Sequence, residues 1–188
     1  GWAVATGDIN GDGKSDLLIS ASGKVLGFYG GTSFAPVIDS PDVTISSTSA
    51  GFGKAIAVIG DINADTYGEI AIGAPGAVIT VNSIANRDTG SVYIIKGGTG
   101  IRTISNADTS VDKIVRIDGN ALFDRFGSSI AQLGDVDGDG KDDFAVSAPL
   151  ADVNTNDTSG KVYLFKGKDV SVSTTLADST AFKGSMID

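Results

Sequence analysis

The stretch Gly134-Asp135-Val136-Asp137-Gly138-Asp139-Gly140-Lys141-Asp142-Asp143 decides the reading of this chain, because it recurs in phase. Its two other copies are Gly7-Asp8-Ile9-Asn10-Gly11-Asp12-Gly13-Lys14-Ser15-Asp16 and Gly60-Asp61-Ile62-Asn63-Ala64-Asp65-Thr66-Tyr67-Gly68-Glu69. Counted from the first Asp, oxygen-bearing side chains fall at loop positions one, three, five and nine. Calcium takes six to eight hard oxygen ligands at about 2.3–2.6 Å, and a tight loop can turn alternate side chains inward to supply them. The expected ligands are Asp8, Asn10, Asp12 and Asp16 in the first loop, Asp61, Asn63, Asp65 and Glu69 in the second, and Asp135, Asp137, Asp139 and Asp143 in the third. Position seven would add a backbone carbonyl from Lys14, Tyr67 and Lys141. Gly13 and Gly140 permit a sharp turn at position six, where the second loop has Thr66, so that loop is expected to bind most weakly. Without a cation the clustered carboxylates would repel one another. Magnesium, which keeps several waters and prefers fewer protein ligands, suits the loops less well.

An EF-hand is excluded. That motif closes with a bidentate Glu at position twelve between two helices, whereas position twelve here is Ile19, Ile72 or Val146. The apolar flanks are short. Trp2 to Thr6, Lys54 to Ile59 and Ser128 to Leu133 precede the loops, and the runs starting at Asp16, Glu69 and Asp143 follow them. Each loop therefore joins two strands.

Each unit continues in the same way. Ser20-Ala21-Ser22, Gly73-Ala74-Pro75 and Ser147-Ala148-Pro149 stop the second strand, and Lys24–Gly30, Ser91–Gly97 and Lys161–Gly167 supply a third. A fourth, more polar strand is expected near Val43–Ser46, Lys113–Ile117 and Thr180–Lys183. The third strands are apolar on both faces: Val162 and Leu164 point one way, Tyr163 and Phe165 the other. A strand with no polar face must be covered on both sides, and sheets stacked around an axis achieve this in a β-propeller. The fold class is thus all-β, with three blades of four antiparallel strands bounded at 1–50, 51–124 and 125–188.

Phe52-Gly53, Phe126-Gly127, Gly73-Ala74-Pro75 and the Gly-x-Val-Tyr segments beside the acidic loops resemble the FG-GAP repeat of integrin α-subunit propellers. The first unit departs from the pattern, with Ser22 in place of Pro and no Phe before Gly1. The resemblance implies a propeller, usually seven-bladed, with calcium between strands one and two. It further implies adhesion or recognition at the cell surface or outside the cell. Gly1 is in phase with Gly53 and Gly127, so the chain reads as an integral number of repeats. Three blades leave two open edges, to be met by further blades of a longer chain or by self-association.

Composition narrows the function. The 188 residues carry 23 acidic and 14 basic side chains, a net charge of -9, which disfavours a nucleic-acid partner. There is no Cys and no His, so disulfides, thiolate nucleophiles and the commonest general base are all missing. No apolar run is long enough to span a membrane, and no signal peptide is visible. An enzyme is therefore not expected. Asp88, Asp152 and Asp157 lie on loops without an evident catalytic partner. The rival readings are a structural repeat of an extracellular layer or filament, and a non-catalytic part of a polysaccharide-acting enzyme. In an up-and-down sheet the metal loops share one end, and the connections between strands two and three share the other. The long ones, Val78–Asp88 and Leu150–Asp157, are expected to bind a protein or glycan ligand on the face opposite calcium.

Overall fold

Every acidic loop joins two antiparallel strands. The computed structural model describes residues 1–31, 40–81, 84–86, 88–100, 102–107, 112–152, 159–167 and 174–175. The loops connect β1 (Val4–Gly7) to β2 (Asp16–Ala21), β5 (Ala55–Val58) to β6 (Ile70–Ala74), and β12 (Ile130–Gly134) to β13 (Asp143–Ala148). Third strands β3 (Lys24–Phe28), β9 (Ser91–Ile95) and β14 (Lys161–Phe165) add on antiparallel, followed by β4 (Val43–Ser46) and β11 (Lys113–Asp118) as fourth strands. The expected fourth strand at Thr180–Lys183 lies outside the described residues. This is the all-β, bladed architecture of a partial β-propeller.

The first two sheets hold five strands rather than the expected four. After β9 the chain returns to the preceding blade, where β10 (Arg102–Ile104) pairs parallel with β4 in the register Arg102↔Val43. After β14, β15 (Thr174–Thr175) does the same to β11. The fourth strand would otherwise present a row of unpaired backbone groups. The return strand supplies partners for them and ties neighbouring blades together.

The core lies between the blades. On β9, Tyr93 and Ile95 pack with Ile9 of the first acidic loop and Leu18, Val25 and Ile45 of the first sheet, whereas Val92 and Ile94 pack with Phe144, Val146 and Phe165 of the third. Alternation along one strand thus feeds two separate cores, as the two-faced apolar pattern requires. The motif phenylalanines plug these interfaces. Phe52 meets Tyr93 edge-on at 5.3 Å and Phe126 meets Tyr163 at 5.5 Å, both Phe side chains being fully buried. Among the described residues no helix is long and apolar enough to cross a membrane.

Candidate metal centre

The three loops adopt one hydrogen-bonded form. The position-one carboxylate accepts loop amides: Asp8 from Gly11 at 2.7 Å and Gly13 at 2.7 Å, and Asp135 from Gly138 at 2.7 Å and Gly140 at 2.8 Å. Asp61 accepts from Asp65 at 3.1 Å and Thr66 at 2.8 Å. Position five accepts the position-seven amide in every copy, from Lys14 to Asp12 at 2.9 Å, Tyr67 to Asp65 at 3.0 Å and Lys141 to Asp139 at 3.0 Å. Drawing the amides onto the carboxylates curls each loop.

Position nine is the buried floor. Asp16, Glu69 and Asp143 are 0%, 0% and 1% exposed, and each accepts the amide of position two: Ile9 at 2.8 Å, Ile62 at 3.0 Å and Val136 at 2.9 Å. A glycine after the third strand gives a second amide, from Gly30 to Asp16 at 2.7 Å and from Gly167 to Asp143 at 3.0 Å. The recurrence of Gly30, Gly97 and Gly167 was visible in the sequence, but the clamp they form was not read from it. Burial pushes the Glu69 carboxyl up to about 8; the amides of Ile62 and Gly97 oppose this, while the charges of Asp65 and Asp61 add to it. Burial raises Asp16 too, against the amides of Gly30 and Ile9. Burial thus disfavours the charged form of both carboxyls, beyond what the loop's own donors offset.

Positions four and six both take the left-handed conformation. Gly11 and Gly13 have φ of 75° and 79°, and Gly138 and Gly140 have 76° and 87°. The second loop forces Ala64 to 64° and Thr66 to 78°. It keeps the same backbone course with side chains that resist it, which gives the expected weakness of that loop a specific cause.

Two observations test whether a hard cation suits these residues. In the second loop, Asn63 donates its amide to Glu69 at 2.9 Å while its carbonyl Oδ1 is buried with no hydrogen-bond partner. A buried acceptor without a donor is costly, and a cation would satisfy it. In the third loop, carboxylate oxygens of Asp135, Asp137 and Asp143 all lie within 4.8 Å of one another. Asp139 stands outside that group. All donors are oxygens, the chemistry calcium selects. The Lys166 ammonium also reaches Asp137, at 2.8 Å, an ion pair not foreseen from the sequence.

The opposite end of the blades holds the long connections. Within the Val78–Asp88 segment, β7 (Ile79–Val81) and β8 (Ile84–Asn86) form an antiparallel ribbon. Asp88 does have a neighbour, the Arg125 guanidinium at 3.9 Å. Residues 82, 83 and 87 of the first segment and 153–157 of Leu150–Asp157, Asp157 among them, lie outside the described residues.

Comparison with known proteins agrees with this architecture. The FG-GAP repeat family matches residues 1–34, 52–95 and 126–165. Similar proteins include integrin alpha-V of Gallus gallus, 32% identical over 173 residues, or 89% of this chain and 15% of that protein. Integrin alpha-8 of Mus musculus is 30% identical over 173 residues, with the same coverage. Integrin alpha-PS3 of Drosophila melanogaster is 30% identical over 184 residues, covering 90% of this chain and 14% of that protein. The chain thus spans about 15% of the length of the curated relatives it matches. Three matched segments, each carrying one acidic loop, place this chain in the FG-GAP repeat family.

Proposed function

We propose that this chain is a calcium-loaded, non-catalytic recognition module of an extracellular or cell-surface protein, with blades at 1–50, 51–124 and 125–188. The observation that carries the metal reading is the orphaned Oδ1 of Asn63, buried beside Glu69 in a loop otherwise closed by its own hydrogen bonds. The proposed ligands are side-chain oxygens at positions one, three, five and nine of each loop, with the carbonyls of Lys14, Tyr67 and Lys141. Calcium would neutralise the buried floor and fix the turn between strands one and two, and through it the geometry of each blade.

Recognition is assigned in this reading to the opposite rim, in the connections Val78–Asp88 and Leu150–Asp157 of neighbouring blades. The resemblance to integrin α chains supports adhesion as the context, with a protein ligand as the partner. The test is thermal melting of metal-stripped protein with and without added calcium. A ligand bound only by the folded state raises stability by about 2.7 kcal/mol at one hundred times its Kd. An unchanged melting temperature contradicts the calcium reading. The second loop, strained at Thr66, is expected to release its ion first.

A further inference from the structure

The first and second acidic loops share backbone that both of them need. Tyr67 is the proposed carbonyl ligand at position seven of the second loop. The amide of the same peptide group, Gly68 N–H, donates at 3.1 Å to the carbonyl of Asp8, which is position one of the first loop. A second link lies beside it. Ile9 N–H donates to the floor carboxylate Asp16 at 2.8 Å, and the Ile9 carbonyl accepts Gly98 N–H at 2.6 Å. The amide of the preceding residue, Gly97, donates to Glu69, the floor of the second loop. Two successive amides thus serve both loops: Gly97 holds one floor, and Gly98 holds the residue that holds the other.

The junction has no slack. A Cβ built on Gly68 meets the Asp8 carbonyl oxygen at 2.5 Å, and one on Gly97 meets Gly68 O at 2.5 Å and Ile9 O at 2.7 Å. The half-buried Tyr67 ring lies against Gly11 of the first loop, where a Cβ would stand 3.0 Å from its Cδ1. Packing this close has discrete arrangements rather than a continuum of them. The turn that makes the junction is also the strained one, because Thr66, just before Tyr67, is held at φ 78°. A β-branched residue there favours release unless something holds the turn. The third loop sets Asp142 against Gly60 of the second in the corresponding place, but its turn residue is Gly140, which takes φ 87° without strain.

We infer that the Thr66-Tyr67-Gly68 turn is a switch shared by the first two loops, through which a cation held in either one favours occupation of the other. This coupling rests on the calcium reading of the loops and adds an energetic link between them. In the held state the Tyr67 carbonyl is available to the second loop, while the Gly68 amide and the Tyr67 ring brace Asp8 and Gly11 of the first. In the released state Thr66 leaves the left-handed region and the first loop loses both braces. Occupation of either loop selects the held state, and linkage makes the effect equal in the two directions.

The test follows the amide signals of Gly13, Thr66 and Gly140, one per loop, by two-dimensional NMR as calcium is added stepwise to metal-stripped protein. Asp61→Asn, which disables the second loop, should raise the calcium needed to half-saturate the Gly13 signal by about fivefold or more. Asp8→Asn should raise the requirement of the Thr66 signal by the same factor, and Asp135→Asn should leave Gly13 unmoved. Thr66→Gly lets the turn stay held without metal. In that background Asp61→Asn should move Gly13 by less than about twofold. A Gly13 signal indifferent to Asp61→Asn, a shift in one direction only, or a full shift in the Thr66→Gly background overturns the coupling and leaves the calcium reading standing. If none of the three signals responds to calcium, the calcium reading falls and the coupling falls with it.

Discussion

Replacing Thr66 by Gly should stabilise the protein, although it removes a side chain and adds none. Thr66 is held at φ 78°, where an L-residue costs about 1–2 kcal/mol. Glycine takes that conformation freely but loses more freedom on folding, about 0.5–1 kcal/mol. The side chain is exposed, so little packing is lost. The balance is a gain of about 0.5–1 kcal/mol, or roughly 1–4 °C in melting temperature for a chain of this size. Gly140→Thr is the mirror experiment. Gly140 has φ 87°, and a Cβ built on it meets nothing within 4 Å, so any loss is conformational rather than steric. It should lower the melting temperature by a similar amount. Both variants are to be melted in saturating calcium by differential scanning calorimetry. A lower melting temperature for Thr66→Gly, together with no change for Gly140→Thr, would refute the strain reasoning.

Lys166→Gln removes the ammonium 2.8 Å from Asp137. An exposed ion pair is worth about 0.2–1 kcal/mol, so the third loop should bind calcium up to about fivefold more tightly in a terbium-competition titration; weaker binding argues against competition by the lysine. Phe52→Ala empties a fully buried site against Tyr93 and should cost about 3–5 kcal/mol in urea unfolding. A loss below about 1 kcal/mol would mean that the blade interface does not depend on this plug. Burial raises the Asp124 carboxyl above its ordinary value, with Lys161 opposing and Asp152 adding to the shift. Its folded pKa thus exceeds its unfolded one, so its contribution is full below the ordinary carboxylate range and is lost as pH rises through the folded value. In calcium-saturated protein, Asp124→Asn should therefore flatten the fall in melting temperature above that range, and an identical pH profile would show that the group does not titrate there.

The blades were legible because hydrophobic alternation and acidic loops recur together. β9 shows why: Val92 and Ile94 face one core and Tyr93 and Ile95 the other, and a pattern apolar on both faces has few solutions. The loops were legible as turns between strands from their acidic spacing: Asp8, Asp61 and Asp135 accept loop amides, and Asp16, Glu69 and Asp143 form a buried floor. Position four was not, although Gly11 and Gly138 stand in register, because Ala64 hides the shared left-handed turn. The return strands β10 and β15 were also missed. Their three and two residues carry no periodicity of their own, and their pairing is set by the preceding blade's open edge.

Native mass spectrometry of the calcium-loaded chain tests the central claim most directly. Three bound ions carry six positive charges, taking the formal charge of the loaded protein from -9 to -3. The expected spectrum shows three calcium ions per chain, one fewer in each of Asp8→Asn, Asp61→Asn and Asp135→Asn, with magnesium failing to displace them at equal concentration. A chain that retains no calcium, or a count unchanged by all three substitutions, would contradict the assignment of the metal to these loops.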